Sequence, residues 1–268
     1  MNDGTVALVT GAARGMGAAT VHALAAQGYR VLAVDSCAGD GPARPHEVKY
    51  ALASASELLA VAEKYDDAQV QPHIADVRDR KAMEHAAAAA VTAFGQLDVA
   101  VAAAGVIAGG QPLWETSNAE LHGMWETNLV GVWNTAAACV PHMLTGPDPS
   151  RCRFVAVSSA AGTHGLYHLA AYSASKHAVV GLVKGLAADL AGTGVTAAAV
   201  APGATQTDML EGTARLYGLT TSEDLGKSAL IRRLLAPEDL AGVIALCCSR
   251  EGAALNGSVV SADGGFRP

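Results

Sequence analysis

Residues 5–17, TVALVTGAARGMG, join a run of apolar, strand-forming residues to a turn rich in glycine. A helix-forming stretch follows at residues 15–27 and is ended by Gly28. Glycine lets the backbone of such a turn bend tightly and approach a pyrophosphate, and the helix N-terminus supplies free N–H groups and a partial positive charge. A strand, a glycine turn and a helix in this order predict a dinucleotide-binding site. A tight turn that binds no ligand is the alternative.

The rest of the chain alternates short apolar strands with longer helical stretches. Six further strands are predicted at residues 30–35, 69–75, 97–103, 153–158, 195–200 and 258–261. Helical stretches are predicted at residues 79–94, 118–144, 171–191 and 237–248. Apolar strands alternating with helices predict a parallel sheet with helices on both faces, and right-handed crossovers make it doubly wound. We therefore expect an α/β fold of the Rossmann type, with a doubly wound parallel seven-stranded sheet and a single domain over residues 1–268.

Two segments are longer than the connections in such a fold need to be. Residues 36–53, SCAGDGPARPHEVKYALA, follow the second strand, and residues 205–231 separate the sixth strand from the last helix. Long loops in compact domains are commonly functional or disordered. We interpret residues 36–53 as an insertion loop and residues 205–231 as a substrate lid.

The composition excludes several classes of protein. The formal charge is −7 and the basic residues are scattered, which argues against a nucleic-acid partner. The apolar runs are too short to cross a bilayer and no secretory signal precedes the first strand, so we expect a cytoplasmic protein without a membrane partner. The five cysteines include no CxxC pair, which predicts reduced thiols, and no residue spacing predicts a metal site.

An acidic residue ends the second predicted strand. Asp35 stands 18 residues after Gly17, where a carboxylate accepts hydrogen bonds from the adenosine ribose and repels a 2′-phosphate. The favoured cofactor is therefore NAD rather than NADP, although Arg14 is a basic residue within reach of a 2′-phosphate. Asp76 and Val77 follow the third strand at the same sheet edge and are candidates for contacts with the adenine. Capping of the next helix is the alternative for Asp76.

A serine, a tyrosine and a lysine form a candidate catalytic group. Tyr172 and Lys176, in YSASK, share one face of a predicted helix, and Ser159 ends the fifth strand, where a ligand of this fold binds. Hydride transfer at an alcohol carbon requires proton transfer at its oxygen. We expect the Lys176 ammonium and a nicotinamide cation to lower the pKa of Tyr172, so that it acts as acid and base while Ser159 holds the substrate oxygen. A half-buried structural tyrosine is the alternative.

TGAARGMG, Asp35, Ser159, YSASK and Pro202-Gly203 together resemble the short-chain dehydrogenase/reductase family, over the whole chain up to the closing LNGSVVSADGG. The resemblance implies a catalytic tetrad of Asn128, Ser159, Tyr172 and Lys176, in which Asn128 holds a water for a proton relay. One departure is residues 102–105, AAAG, where the family's motif carries an amide side chain that braces the sheet. The candidate cofactor-binding residues are Gly11, Arg14, Gly15, Met16, Gly17, Asp35, Asp76, Val77, Ala104, Gly105, Tyr172, Lys176, Pro202, Gly203, Thr205 and Thr207.

Residues 48–61 and 106–116 are similar to a subgroup of this family, the mycofactocin-coupled oxidoreductases, which stand near carveol dehydrogenase. That similarity implies an NAD that does not exchange and that passes its electrons to mycofactocin, a peptide-derived redox carrier. The insertion leaves the second strand beside the adenosine and is expected to fold over it. Members of the family are usually homotetramers, and the apolar stretch at residues 118–144 fits an interface between subunits.

The candidate residues of the substrate pocket are Trp114, His164, Tyr167 and Met209, in apolar surroundings that suit a secondary alcohol or ketone of modest size. Two other functions stay open. An NADPH-dependent 3-ketoacyl-carrier-protein reductase needs a basic site for the 2′-phosphate and a basic surface for the acidic carrier, and Asp35 and the net charge argue against both. A non-catalytic dinucleotide sensor is the second, and the intact tetrad argues against it.

Overall fold

Seven parallel strands form one sheet in the computed structural model, which describes residues 4–39 and 41–267. In chain order they are β1 Val6–Thr10, β2 Arg30–Asp35, β3 Val70–Ile74, β4 Val99–Ala102, β5 Arg153–Val157, β6 Thr196–Pro202 and β7 Val259–Ala262. Their order in the sheet is β3-β2-β1-β4-β5-β6-β7, and each adjacent pair is parallel. The predicted doubly wound α/β architecture is confirmed.

Helices cover both faces of the sheet. In chain order they are α1 Gly15–Ala26, α2 Ala55–Ala62, α3 Arg80–Phe94, α4 Asn118–Trp125, α5 Gly131–Leu144, α6 Ala170–Asp189, α7 Asp208–Leu216 and α8 Pro237–Cys248. The apolar core on one face is shared by α3, α5 and α6, and the core on the other by α1, α2 and α8. Within the described ranges, no helix is both long and apolar enough to span a membrane.

The strand order reverses at the centre of the sheet. β1 pairs with β2 on one side and with β4 on the other, and the chain leaves β1 and β4 toward opposite faces. A crevice therefore opens at the carboxyl ends of these two strands, which is where ligands of doubly wound sheets bind. The glycine turn after β1, Asp35 at the end of β2 and the loop after β4 all lie at this edge.

The helices differ from the predicted ones at three places. The stretch at residues 118–144 is two α-helices joined by a π-helical turn, Glu126–Val130. No helix is predicted at α2, although Ser54 and Glu57 form a capping box at its start. No helix is predicted within the substrate lid at residues 205–231 either, whereas Thr207 caps the N-terminus of a regular helix there, α7.

The described residues of the insertion pack against the rest of the domain. Val48 is fully buried, and Tyr50 is only 9% exposed. Arg78, in the turn after β3, donates a hydrogen bond from Nη2 to Ala43 O at 2.6 Å, and Arg14 in the glycine turn donates one to Ala51 O. The insertion is thus attached to both sides of the crevice by arginines that lie outside it.

Replacing the arginine after β3 should loosen the insertion without unfolding the domain. In Arg78→Ala the hydrogen bond to Ala43 is lost, and we expect trypsin to cleave after Lys49 about tenfold faster, since a hydrogen bond from a charged group is worth roughly 1.5–3 kcal/mol. The matched control is Arg80→Ala, which removes an exposed helix pair with Glu84 at 2.7 Å. Equal cleavage rates for the two variants would contradict the attachment.

Candidate functional site

The glycine turn lies against the end of β4. Gly11 has a φ of +67°, and a Cβ there would be 2.8 Å from the Cα of Ala104, so no larger residue fits without moving the backbone. At Gly17 a Cβ would collide with the carbonyl oxygen of Gly11. Glycine at these two positions lets the turn lie close to α1 and to the loop after β4. The predicted dinucleotide-binding turn requires this close packing.

A narrow cavity of about 140 Å³ extends along the crevice from the glycine turn. It is lined by many of the predicted cofactor-binding residues: Gly11, Arg14, Gly15, Met16, Gly17, Asp35, Asp76, Val77, Ala104, Gly105 and Thr207. We call it the cofactor cavity. It is also lined by residues of the insertion and of α7, which therefore form two of its walls: Pro45, Tyr50, Leu52, Asp208 and Met209.

The charged residues of this cavity are held by neighbours. Asp35 accepts hydrogen bonds from Ala13 N at 3.2 Å and from Cys37 N at 3.0 Å, which orient its carboxylate at the end of β2. Arg14 forms an ion pair with Asp208 at 2.7 Å in addition to its bond to Ala51 O. The basic residue that the sequence offers to a 2′-phosphate is therefore already engaged by α7 and by the insertion.

Asp76 does not cap the helix that follows it. Its carboxylate pairs with Arg78 at 2.6 Å, and the N-cap of α3 is Asp79, whose Oδ1 accepts hydrogen bonds from Lys81 N and Ala82 N. The capping alternative for Asp76 is wrong. Asp76 instead anchors the arginine that reaches the insertion, and it lines the cofactor cavity.

Two local features fit a dinucleotide in the cofactor cavity. Thr127 lines it and is 8% exposed, and its Oγ1 has no hydrogen-bond partner among the described residues. A buried hydroxyl without a partner is costly unless a ligand or water meets it. The glycine cradle at Gly11 and Gly17 is the second feature. Sequence reasoning missed Thr127, although it directly precedes Asn128 in the predicted tetrad.

The amide of Asn128 braces the loop after β4. Asn128 is fully buried in the π-helical turn, its Oδ1 accepts a hydrogen bond from Val106 N at 2.8 Å, and its Nδ2 donates to Val106 O and to Ser175 Oγ, both at 3.0 Å. A Cβ at Gly105 would be 3.2 Å from Asn128 Oδ1 and 3.4 Å from Lys176 Nζ. The two residues thus flank Gly105. The water-holding role that the resemblance implies for Asn128 stays a prediction.

Tyr172 and Lys176 are both buried in α6, next to the end of β5. Burial raises the pKa of Tyr172, while its hydrogen bond with Ser159 acts in the opposite direction. Burial lowers the pKa of Lys176 to about 8, and its Nζ donates a hydrogen bond to Val157 O at 3.0 Å. For the protein alone, burial of the phenol therefore outweighs the influences that lower its pKa, and the lowering expected beside a nicotinamide cation stays a prediction.

A second, larger cavity of about 550 Å³ adjoins the cofactor cavity and shares Met16, Thr207 and Met209 with it. We call it the substrate cavity. Tyr172 and Ser159 line it, and its other lining residues are chiefly apolar. Two members of the predicted tetrad thus line the substrate cavity, while Asn128 and Lys176 flank Gly105, which lines the adjoining cofactor cavity.

The predicted pocket residues divide into two groups. Tyr167 and Met209 line the substrate cavity, whereas Trp114 and His164 are absent from the described linings of both cavities. Trp114 is 81% exposed on a short helical turn, and the ring of His164 packs edge-on against Phe266, at 5.7 Å between ring centres. Pro202, Gly203 and Thr205, expected at the cofactor, line the substrate cavity instead. Leu166 and Phe266, which were not predicted, also line it, and Tyr217 lines it from the segment interpreted as the substrate lid.

Comparisons with known proteins agree with this geometry. Residues 5–216 match the family model of the short chain dehydrogenases. (−)-trans-Carveol dehydrogenase of Rhodococcus erythropolis is 36% identical over 219 residues, covering 80% of this chain and 76% of the relative. The 3-oxoacyl-[acyl-carrier-protein] reductase FabG of Thermotoga maritima is 31% identical over 268 residues, covering 98% of each chain. The crystal structure of carveol dehydrogenase from Mycobacterium avium in complex with NAD has a TM-score of 0.89 at 27% identity, covering 98% of this chain and 97% of that one. The chain belongs to the short-chain dehydrogenase family.

Proposed function

We propose that this protein transfers a hydride between NAD and a secondary alcohol or ketone, with Tyr172 as the acid and base. The observation that carries the proposal is that Tyr172 and Ser159 line the substrate cavity, which adjoins the cofactor cavity. The solved relative with NAD bound and the relative named for the oxidation of carveol support the same reaction class.

Each residue of the tetrad has a separate role in proton transfer at the substrate oxygen. Bound NAD supplies the acceptor for the hydride when an alcohol is oxidised. Tyr172 takes the hydroxyl proton as the carbonyl forms, and Ser159, already hydrogen-bonded to Tyr172, donates to the oxygen. In the reverse direction Tyr172 returns the proton to the alkoxide. Lys176 provides positive charge behind Tyr172, and Asn128 holds the loop after β4 in place.

NAD, rather than NADP, fits the adenosine end of the cofactor cavity. Asp35 presents its carboxylate where a 2′-phosphate would lie, and Arg14 is paired with Asp208. FabG of Thermotoga maritima is similar along the whole chain, which keeps a ketoacyl reductase as the second candidate. A ketoacyl reductase of that kind would use NADPH, which the Asp35 carboxylate and the ion pair of Arg14 with Asp208 disfavour.

We further propose that the NAD is retained between turnovers and is reoxidised by mycofactocin. The insertion supports retention because it is attached by Arg14 and Arg78 to both sides of the cofactor cavity. An NAD held in this way must pass its electrons to a second molecule that enters the substrate cavity.

A homotetramer in the cytoplasm is the assembly we propose. Trp125 and Trp133 flank the π-helical turn and are 39% and 61% exposed in the single chain. Large aromatic side chains at such positions suit an interface between subunits, where they lose contact with water.

Denaturing the purified protein and identifying the released nucleotide by mass tests the cofactor directly. We expect NAD. In Tyr172→Phe the same nucleotide should be bound, but alcohol oxidation should fall by roughly 10²–10⁴-fold, the contribution typical of a general acid and base. Activity retained by this variant would refute the assigned mechanism, and NADP in the released fraction would refute the choice of cofactor.

The space around Gly105 should matter for catalysis more than for stability. In Gly105→Ala the new Cβ would be 3.2 Å from Asn128 Oδ1, which has to shift, and we expect kcat to fall about tenfold through misplacement of the tetrad. Gly242→Ala is the matched control, since no atom lies within 4 Å of a Cβ in the middle of α8. A Gly105→Ala enzyme as active as Gly242→Ala would contradict this placement.

Alcohol oxidation should accelerate as the pH rises. Oxidation needs deprotonated Tyr172, whose pKa is raised by burial, so the logarithm of kcat/KM should increase with a slope of about +1 between about pH 6 and pH 8. Lys176→Met removes a nearby positive charge and should move this limb to higher pH. Lys184→Met, an exposed lysine of the same helix, should leave it in place. A flat profile, or equal shifts in both variants, would count against the assignment.

A further inference from the structure

The loop after β4 is the partition between the two cavities. Gly105 and Val106 line the cofactor cavity, and Ile107 lines the substrate cavity. Asn128 holds this partition from one side, by bonding both backbone groups of Val106. From the other side, Ile107 N donates a hydrogen bond to Tyr50 Oη at 3.2 Å. The second support therefore comes from the insertion, a segment outside the tetrad and the glycine turn.

The ring of Tyr50 is also the surface on which α7 rests. A Cβ on Gly212 of α7 would be 2.9 Å from Tyr50 Cδ1 and 3.3 Å from its Cε1, so the helix backbone lies directly against the ring. Tyr50 belongs to the same buried apolar cluster as Tyr172, Val106 and Ile107, and Met209 of α7 packs against that cluster. One side chain of the insertion thus touches α7 and the partition, and its buried cluster extends to Tyr172.

We propose that Tyr50 is a positioning residue that couples closure of the cofactor cavity to alignment of the substrate. Its ring seals the cavity beneath α7, and its hydroxyl fixes Ile107 at the wall of the substrate cavity. This proposal rests on the proposed NAD-dependent oxidation of an alcohol. Burial raises the pKa of Tyr50 to about 12, so the hydroxyl keeps its proton over the whole working range.

Two substitutions separate the hydroxyl from the ring. Tyr50→Phe removes only the bond to Ile107 and should lower kcat about tenfold, the factor that corresponds to one hydrogen bond. The primary isotope effect with a deuterated alcohol should increase, because hydride transfer becomes slower, while the rate of NAD dissociation stays at the wild-type value. Tyr50→Ala also removes the ring and should release NAD about tenfold faster.

Tyr65→Phe is the matched control, since its hydroxyl bonds only the ring of His22, at 3.0 Å, among the described residues and lies outside both cavity linings. It should leave kcat, the isotope effect and NAD dissociation unchanged. Gly212→Ala tests the seal with the Tyr50 side chain still present, and should also speed NAD release, because the new methyl group forces α7 and the ring apart. If Tyr50→Ala does not fold, Gly212→Ala alone tests whether the contact between α7 and the Tyr50 ring slows NAD release.

The outcomes are distinguishable from failure of the proposed function. A Tyr50→Phe enzyme with wild-type kcat and isotope effect overturns the positioning role. Wild-type NAD release in Tyr50→Ala, or in Gly212→Ala if the former does not fold, overturns the seal. If the wild-type protein exchanges NAD freely, the proposal that NAD is retained between turnovers is wrong. The ratio of NAD dissociation constants between Tyr50→Ala and wild type still tests whether the Tyr50 ring seals the cofactor cavity. If the wild type oxidises no alcohol, the proposed reaction and the positioning role fail together, and the same ratio still tests the seal.

Discussion

The contact between two backbones at the centre of the sheet is the constraint on which the site depends. Gly11 approaches the Cα of Ala104 so closely that a methyl group would have to displace the chain. Because of this contact, the floor of the crevice is made of backbone, and a ligand can meet both the N-terminus of α1 and the loop after β4. Thr10 reinforces it, since its Oγ1 accepts hydrogen bonds from Ala103 N at 3.2 Å and Ala104 N at 3.3 Å. The alanines that replace the family's amide motif are thereby held without an amide of their own.

A π-helical turn positions one residue of the predicted tetrad. The π-helical turn Glu126–Val130 interrupts what would otherwise be one helix from α4 to α5. π-Helical turns insert one residue into the helical repeat and are frequent at functional sites. Here the turn carries both Thr127, which lines the cofactor cavity and whose Oγ1 has no hydrogen-bond partner within residues 4–39 and 41–267, and Asn128, which braces Val106. Two adjacent residues thus serve the cofactor cavity and the partition.

Features that depend on local patterns could be predicted from the sequence. The sheet follows from apolar strands alternating with helices, and the placement of Tyr172 beside Lys176 follows from helical spacing. The role of Tyr50 could not be predicted, because its contacts join residues far apart in the chain, at Ile107 and Gly212. Burial raises the pKa of Tyr172 in the protein alone, and the composition of its helix does not reveal how completely the fold buries the phenol.

Contacts with the insertion and α7 change what Arg14, in the glycine turn, can bind. A basic residue in the glycine turn would ordinarily suit a 2′-phosphate, but here its guanidinium is bonded to Asp208 of α7 and to Ala51 of the insertion. Binding a 2′-phosphate through Arg14 would break the contacts that hold both walls of the cofactor cavity. Asp35 adds repulsion at the same place. Arg14 cannot bind a 2′-phosphate and keep its bonds to α7 and the insertion at the same time. If the protein retains NAD as proposed, its preference for NAD over NADP therefore depends on closure of the cofactor cavity as well as on Asp35.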